Sequence, residues 1–267
     1  MAQHRKLGIL GLGRMGKCLA EGLTKQPAFS TTPILFSTRN PVPGAKSNTE
    51  LVKSCDVVIL AVKPQNVTEV LTEIGPHLGK GKTLISIVAS ISTAELENGV
   101  AKGTSVVRAM PNTPALVGEG ITALCAGKSA SPAHLEIAKE IFEAVGKVVL
   151  VDEKQMDAVT GLSGCGPAYL YVILESLTDA GIKVGLPREV ATQLASQTVL
   201  GAARMLQVTQ RHPAALKDEV TTPAGCTIDG LLELEEGKLR VTLIKAVVQA
   251  TKRAKALAKK ANVEGAK

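Results

Sequence analysis

In the first half of the chain, short apolar blocks alternate with segments whose apolar residues recur three or four positions apart. The blocks predict buried strands and the intervening segments predict amphipathic helices. The predicted strands cover residues 6–10, 33–37, 57–62, 83–88, 105–110, 121–126 and 148–151. The predicted helices cover residues 15–25, 67–74, 92–98 and 133–145. This alternation is typical of a mostly parallel α/β sheet covered by helices.

After Asp152 the strand signals stop and only helical periodicity remains. The predicted helices cover residues 156–184, crossed by a Gly-rich stretch at 161–167, then 187–208, 213–219 and 239–261, with a further helical run from residue 228. We therefore expect an N-terminal domain over residues 1–152 and an all-α domain over residues 153–267. An all-helical half with several apolar faces often buries one of them against a second subunit.

The composition narrows the class of protein. The 267 residues carry a formal net charge of +7, and residues 238–267 account for all of the basic excess. This pattern favours one solvated basic helix face over a patch for nucleic acid or an anionic membrane. With three Phe, two Tyr and no Trp, stacking of nucleic-acid bases is not expected. No apolar run reaches the roughly 18 residues of a membrane span. The five cysteines are scattered, and a strand begins close to the N-terminus, so we expect a cytoplasmic protein.

The first predicted strand leads into a glycine pattern at the start of a helix. Gly11, Gly13 and Gly16 follow the spacing G-x-G-x-x-G, with Arg14 and Met15 between the last two. Such glycines permit a tight turn, close approach of the backbone to a pyrophosphate, and close packing of helix on strand. The position as the first βα turn predicts a Rossmann-type, doubly wound parallel sheet that binds a dinucleotide.

The end of the second strand indicates which nicotinamide cofactor is preferred. An acidic residue there would bind the ribose hydroxyls of NAD. The chain instead has Ser37, Thr38 and Arg39, whose hydroxyls and planar cation suit a 2′-phosphate. We therefore expect NADP, with NADPH preferred over NADH. In the alternative interpretation, Arg39 is only a solvated loop charge.

Further candidates lie where the strands end, at the edge where doubly wound sheets bind ligands. Small and turn-forming residues there suit a backbone that lines a nicotinamide ring. Lys63 is a candidate general acid, Schiff-base nucleophile or simple charge near the cofactor. The expected cofactor-lining residues at this edge are Ala61, Lys63, Pro64, Val88, Ala89 and Asn112.

A polar turn at residues 220–227 opens the helical run that begins at residue 228. A Pro/Gly turn at a helix start leaves backbone N–H groups pointing outward, which suits a carboxylate. Thr222 and Thr227 add hydroxyl donors. The four histidines, His4, His77, His134 and His212, are expected at the surface, and no metal site is expected. Cys165 and Cys226 are expected to be small buried residues rather than reactive thiols.

Taken together, these motifs resemble the 1-pyrroline-5-carboxylate reductase family over nearly the whole length. The resemblance is carried by the glycine pattern and by segments 61–64, 110–114, 157–164 and 216–227. It departs from the family's usual pattern at Cys165 and Ala224, where Ser and Gly are usual. It departs also after Arg39, where residues 39–48 leave little room for the usual helix and third strand.

The resemblance implies a Rossmann domain followed by an all-α dimerisation domain, with homodimers often assembled in a larger ring. It implies hydride transfer from NAD(P)H to the C=N carbon of pyrroline-5-carboxylate, which gives L-proline. By position, Thr227 would donate to the imine nitrogen, and Asn48 would contact the adenosine end of the cofactor. The residues implied to bind substrate are Glu153, Thr222, Gly225, Cys226 and Thr227.

Two other functions fit parts of the pattern. A hydroxyacid dehydrogenase shares the two-part layout, but it needs an acid/base for a hydroxyl proton. Lys63 is a possible candidate, and the lack of a His in the motifs of the helical half argues against this function. The other candidate is a non-catalytic NADP sensor that dimerises through its helices. Such a sensor needs no substrate-binding turn, so the intact Thr227 turn disfavours this function.

Overall fold

The computed structural model describes residues 5–29, 33–39 and 42–264. The strands are β1 (Leu7–Leu10), β2 (Ile34–Ser37), β3 (Val57–Leu60), β4 (Thr83–Ser86), β5 (Ser105–Met110), β6 (Gly120–Ala126) and β7 (Gly146–Leu150). The helices are α1 (Arg14–Thr24), α2 (Asn48–Ser54), α3 (Val67–Ile74), α4 (Thr93–Asn98), α5 (Pro132–Glu143), α6 (Met156–Val159), α7 (Gly166–Lys183), α8 (Arg188–Thr209), α9 (Pro213–Glu219), α10 (Cys226–Glu236) and α11 (Leu239–Glu264).

The strands form one sheet in the order β2-β1-β3-β4-β5-β6-β7. The chain leaves β1 towards β2 on one side and returns to β3 on the other, so the topological switch point lies between β1 and β3. Ligands of doubly wound sheets bind in the crevice at such a point, outside the carboxyl ends of the strands. The predicted Rossmann-type sheet is confirmed.

Alternate residues of the strands point into two separate cores. Ile9 and Ile59 belong to a cluster with α1 and α5, whereas Leu10 and Leu60 belong to a cluster with α2, α3 and α4. Because both faces of the sheet are covered by helices, β1 and β3 are apolar and buried at every position. This explains the continuous apolar blocks of the sequence.

The structure adds two features to the predicted pattern. A helix, α2, does follow the loop after Arg39, and its start carries a capping box: Ser47 accepts from the Glu50 N–H, and the Glu50 carboxylate accepts from the Ser47 N–H. The sheet is mostly parallel, as predicted, and β6 pairs antiparallel with β5. Only residues 111–119 connect these strands, and a parallel crossover needs a dozen residues or more.

Contacts divide the chain into two compact units, Met1–Cys165 with Val248–Lys267, and Gly166–Val247. The boundary expected at residue 152 stays a prediction. In the second unit, α7 and α8 form a closely packed hairpin, where a Cβ on Gly181 would meet Ala191 Cβ at 2.7 Å. Within the described residues, no helix has the length and apolar character needed to cross a membrane.

Candidate active site

In the glycine turn after β1, Gly11 and Gly16 leave no space for a side chain, whereas Gly13 faces open space that a ligand can occupy. Gly11 has φ +100°, and a Cβ there would meet the Ala61 carbonyl oxygen at 2.8 Å. A Cβ on Gly16 would collide with the Gly11 carbonyl oxygen, whereas one on Gly13 would meet nothing within 4 Å. The turn therefore brings the loops after β1 and β3 together at the switch point.

Helix α1 begins at this turn, and no nearby side chain caps or neutralises the positive end of its dipole. Its N-cap, Gly13, supplies no side-chain hydrogen bond, and no acidic residue lies in its first turn. The open N–H groups and the positive end of the helix dipole favour an anion. Arg14 is exposed here, while Met15 is partly buried against the core. These features fit the pyrophosphate of a dinucleotide.

The residues expected at the adenosine end are already hydrogen-bonded inside the protein. The Ser37 hydroxyl donates to Asn48 Oδ1 at 2.7 Å, and Asn48 Nδ2 donates to Glu73 Oε2 at 2.7 Å. Arg39 Nη2 pairs with Glu69 Oε2 at 2.9 Å, with both side chains more than 70% exposed. The structure thus brings Ser37 and Asn48 together and adds two carboxylates of α3.

The loops after β3 and β4 carry the next expected residues. Ala61 is half-buried beside the glycine turn, while Lys63 and Pro64 are exposed at the start of a short 3-10 helix. Val88 is buried and Ala89 packs against the small cluster around Met110. Ser90, the next residue of this loop, is buried with φ +66°. Such strained backbone tends to occur at functional sites.

Asn112 follows β5, and its side-chain amide joins two segments. Its Oδ1 accepts from the Ile121 N–H at 2.9 Å, and its Nδ2 donates to the Ser163 carbonyl at 3.2 Å. Ser163 lies in a π-helical turn, Thr160–Gly164, between α6 and α7. π-Helical turns are often found at functional sites. Asn112 therefore fixes the position of this turn relative to the end of β5.

A buried arginine holds the carboxylate of Glu153. Arg108, whose side chain is 5% exposed, forms an ion pair with Glu153, and its Nη2 lies 4.0 Å from Asp157 Oδ1. The other Glu153 oxygen accepts from the Thr93 N–H at 3.3 Å. Sequence reasoning missed Arg108, although a charge inside the apolar run of residues 105–110 was the available signal.

The same carboxylate contacts a buried thiol. Cys125 Sγ lies 3.6 Å from Glu153 Oε2. Burial, and next the negative charge of Glu153, raise the pKa of Cys125 to about 12. The thiol is therefore neutral at physiological pH and acts as a weak hydrogen-bond donor to the carboxylate.

In the second unit, the turn before α10 has the expected geometry. The Gly225 N–H donates to the Thr222 carbonyl at 3.1 Å, which closes a β-turn with Pro223 and Ala224 at its centre. Ala224 has φ +55°, and a Cβ on Gly225 would collide with the Thr222 hydroxyl oxygen. Ala224 is therefore restricted by its backbone conformation, and Gly225 by the neighbouring Thr222 side chain.

Helix α10 starts directly after this turn and is open at its N-terminus. Gly225 is the N-cap and makes no side-chain hydrogen bond, and Cys226 and Thr227 are the first two helical residues. The neighbouring Thr221 hydroxyl donates to the Lys217 carbonyl, whereas those of Thr222 and Thr227 have no partner among the described residues. The turn thus presents backbone N–H groups and two uncommitted hydroxyls.

Four expectations about the histidines and cysteines need correction. Cys226 is exposed and Cys165 is half-buried, because both lie where a helix begins rather than in a core. His134 is half-buried: its ring nitrogens lie 3.0 Å from Ser105 Oγ and 2.7 Å from Ser131 Oγ. Burial lowers the His134 pKa. His77 is also half-buried, His212 is exposed, and His4 lies outside the described residues.

Comparison with known proteins places these features in a family. Residues 153–257 match the profile described as pyrroline-5-carboxylate reductase dimerisation, and residues 6–90 match one described as NADP oxidoreductase, coenzyme F420-dependent. The pyrroline-5-carboxylate reductase of Arabidopsis thaliana is 42% identical, with 96% of each chain covered. The chain belongs to the pyrroline-5-carboxylate reductase family.

More distant reductases agree with this assignment. The Methanosarcina acetivorans pyrroline-5-carboxylate reductase is 40% identical, covering 97% of this chain and all of its relative. The crystal structure of Plasmodium falciparum pyrroline carboxylate reductase with NADP bound superposes with a TM-score of 0.87, at 36% identity over 96% of this chain and 99% of that one.

The two matched regions contain most of the expected site residues. The turn residues and Glu153 lie inside the reductase dimerisation region, and the glycine turn, Arg39 and Asn48 lie inside the NADP oxidoreductase region. Asn112 and Arg108 lie in neither. Their roles therefore rest on the contacts described above.

Proposed function

We propose that the protein reduces 1-pyrroline-5-carboxylate to L-proline with a nicotinamide cofactor, NADPH in preference to NADH. The observation that carries the proposal is the turn from Thr222 to Thr227. It presents an uncapped helix N-terminus, which suits the substrate carboxylate, beside hydroxyls that are free to donate to the ring nitrogen.

The residues of the first unit fit the cofactor. The backbone of Gly11 and Gly13, with Arg14 and Met15, would hold its pyrophosphate, and Ser37, Arg39 and Asn48 its adenosine end. Bound there, the nicotinamide supplies the hydride. The residues that would line its ring at the carboxyl edge of the sheet are Ala61, Lys63, Pro64, Val88, Ala89 and Asn112.

The substrate needs orientation more than acid–base chemistry. Its C=N carbon is already electrophilic, so a correctly placed imine needs no strong catalytic acid. The Thr227 hydroxyl would donate to the imine nitrogen and stabilise the charge that develops there as hydride arrives. Thr222 and the N–H groups of residues 225–227 would hold the carboxylate.

Glu153 belongs to the proposed substrate pocket as a residue with a fixed side chain. Its carboxylate is held by Arg108, by the Thr93 N–H and by the Cys125 thiol. We propose that Glu153 shapes the wall of this pocket next to the π-helical turn.

The proposed assembly is a homodimer through the helical domain, with a ring of dimers as the larger form. The second unit supports it, since many large apolar side chains of its helices are exposed in the single chain. They include Tyr171, Leu200, Val208 and Ile244, each at least 58% exposed. We also propose that the protein is located in the cytoplasm.

Replacing Thr227 tests the assigned chemistry. Thr227→Ala removes the proposed donor, so kcat with pyrroline-5-carboxylate should fall on the order of 10²-fold, the cost of one transition-state donor. The dissociation constant of NADPH, measured by calorimetry, should stay unchanged. Thr227→Ser is the matched control because it keeps the hydroxyl, and it should retain most of kcat. Equal losses in kcat and in cofactor affinity would remove Thr227 from this role.

Replacing Arg39 tests the cofactor assignment. Arg39→Glu places a negative charge where the 2′-phosphate is proposed to bind, and should weaken NADPH far more than NADH. The measurement is the ratio of kcat/KM values for the two cofactors at constant pyrroline-5-carboxylate. An unchanged ratio would show that Arg39 does not contact the cofactor.

A further inference from the structure

The surroundings of Arg39 and Asn48 contain an unexpected pair of carboxylates. Glu69 and Glu73 lie four residues apart on α3, so they share one face of that helix. Glu69 pairs with Arg39 at 2.9 Å, and Glu73 accepts from Asn48 Nδ2 at 2.7 Å. The second Glu73 oxygen lies 3.4 Å from the Thr49 hydroxyl.

These contacts occupy the groups that would recognise a 2′-phosphate. Glu69 competes with a 2′-phosphate for Arg39, because the guanidinium must leave the Glu69 carboxylate, or be shared with it, to bind phosphate. Glu73 holds the Asn48 amide, whose other end is bonded to Ser37. Both carboxylates also repel the two negative charges that a phosphate monoester brings.

We propose that Glu69 and Glu73 are specificity-determining residues that reduce the preference for NADPH over NADH. In NADH the 2′-hydroxyl is a donor, and a carboxylate is the group that binds it in NAD-specific sheets. Those sheets take the carboxylate from the end of the second strand, whereas this chain supplies it from α3. The inference rests on the proposed cofactor site.

The expected size of the effect follows from exposure. Glu69, Glu73 and Arg39 are all exposed, and ion pairs in water are weak. Each carboxylate should therefore change the cofactor affinity by about two- to fivefold.

Charge-neutral, similarly sized variants test the inference in binding experiments without substrate. Glu69→Gln should tighten NADPH by about two- to fivefold and leave NADH unchanged. Glu73→Gln should tighten NADPH and weaken NADH. The dissociation constants are measured by titration calorimetry at low and moderate salt, and the NADPH effects should shrink as salt rises.

Glu136→Gln is the matched control. Glu136 is 62% exposed and pairs with Lys139 at 3.7 Å, but it lies on α5, which packs on the other face of the sheet. It should leave both affinities unchanged. If it tightens NADPH as much as Glu69→Gln does, the effect is one of net charge, and the inference is wrong.

A double-mutant cycle tests whether Glu69 acts through Arg39. In an Arg39→Gln background, Glu69→Gln should lose most of its effect on NADPH affinity. Equal changes for NADPH and NADH, or a ratio that stays constant in both variants, would overturn the inference. Failure of the wild-type protein to reduce pyrroline-5-carboxylate would instead contradict the proposed function, and the binding ratios would still be measurable.

Discussion

Ala224 occupies a backbone conformation that favours glycine. It is the third residue of the Thr222–Gly225 turn and has φ +55°, a position at which turns following Pro usually take Gly. For an L-residue with a Cβ, the left-handed region costs about 1–2 kcal/mol. The backbone is therefore strained directly beside the residues that are proposed to bind the substrate carboxylate.

Relief of this strain should be measurable. Ala224→Gly should raise the free energy of unfolding by about 0.5–1 kcal/mol, since the relief exceeds the entropy that Gly adds to the unfolded chain. Ala203→Gly, at an exposed position inside α8, is the control and should lower it by about 1 kcal/mol. Both values come from urea unfolding. A loss of stability in Ala224→Gly similar to that of the control would contradict the strain.

At the residue scale, the sequence predicted positions whose type is dictated by backbone geometry. The roles of Gly11 and Gly16 in the turn follow from their spacing, and the structure agrees. The sequence did not predict the roles of Arg108, Glu69 or Glu73, because each of these residues contacts a partner that is distant in sequence. The exposure of Cys226 was also missed, since a Gly-rich context does not indicate which side of a helix start faces solvent.

At the element scale, the Arg108–Glu153 ion pair connects β5 to the segment that begins the helical half. Glu153→Gln should leave Arg108 buried without a full counter-charge and lower the free energy of unfolding by about 3 kcal/mol. Asp179→Asn is the control, because it breaks the Arg188–Asp179 pair, whose members are at least 60% exposed. That loss should stay below about 1 kcal/mol.

Urea unfolding midpoints of the two variants provide the comparison. Similar midpoints would show that the buried Arg108–Glu153 pair contributes no more to stability than the exposed Arg188–Asp179 pair. The KM for pyrroline-5-carboxylate should also rise in Glu153→Gln, because the proposed pocket wall loses its anchor.

The elements that sequence predicted best are those with strong periodicity. The bounds of α3, β5 and α9 agree with the expected ranges. Helix α2 was missed because it is short and most of its residues are polar, although Ser47 and Glu50 show the spacing of a capping box. The direction of β6 is not readable from an apolar run, and only the short connection after β5 indicates it.

At the scale of the whole molecule, the exposed apolar helices predict self-association. Ile244, on α11, is 64% exposed and lies inside the matched dimerisation region. Ile244→Asp should weaken dimerisation at least about tenfold, as expected for an interface anchor. Sedimentation velocity over a micromolar concentration series measures it.

Val117→Asp is the control for that experiment. Val117 is 77% exposed but lies outside the matched dimerisation region, so its replacement should leave the dimer intact. If both variants behave like the wild type, Ile244 is not at the interface.

Above all, the whole chain is expected to reduce pyrroline-5-carboxylate to L-proline with NADPH. The most direct measurement is the oxidation of NADPH by the purified wild-type protein on addition of pyrroline-5-carboxylate, with proline quantified in the same sample. One proline should form for each NADPH consumed. No oxidation above the substrate-free background, with saturating cofactor and folded protein, would contradict it.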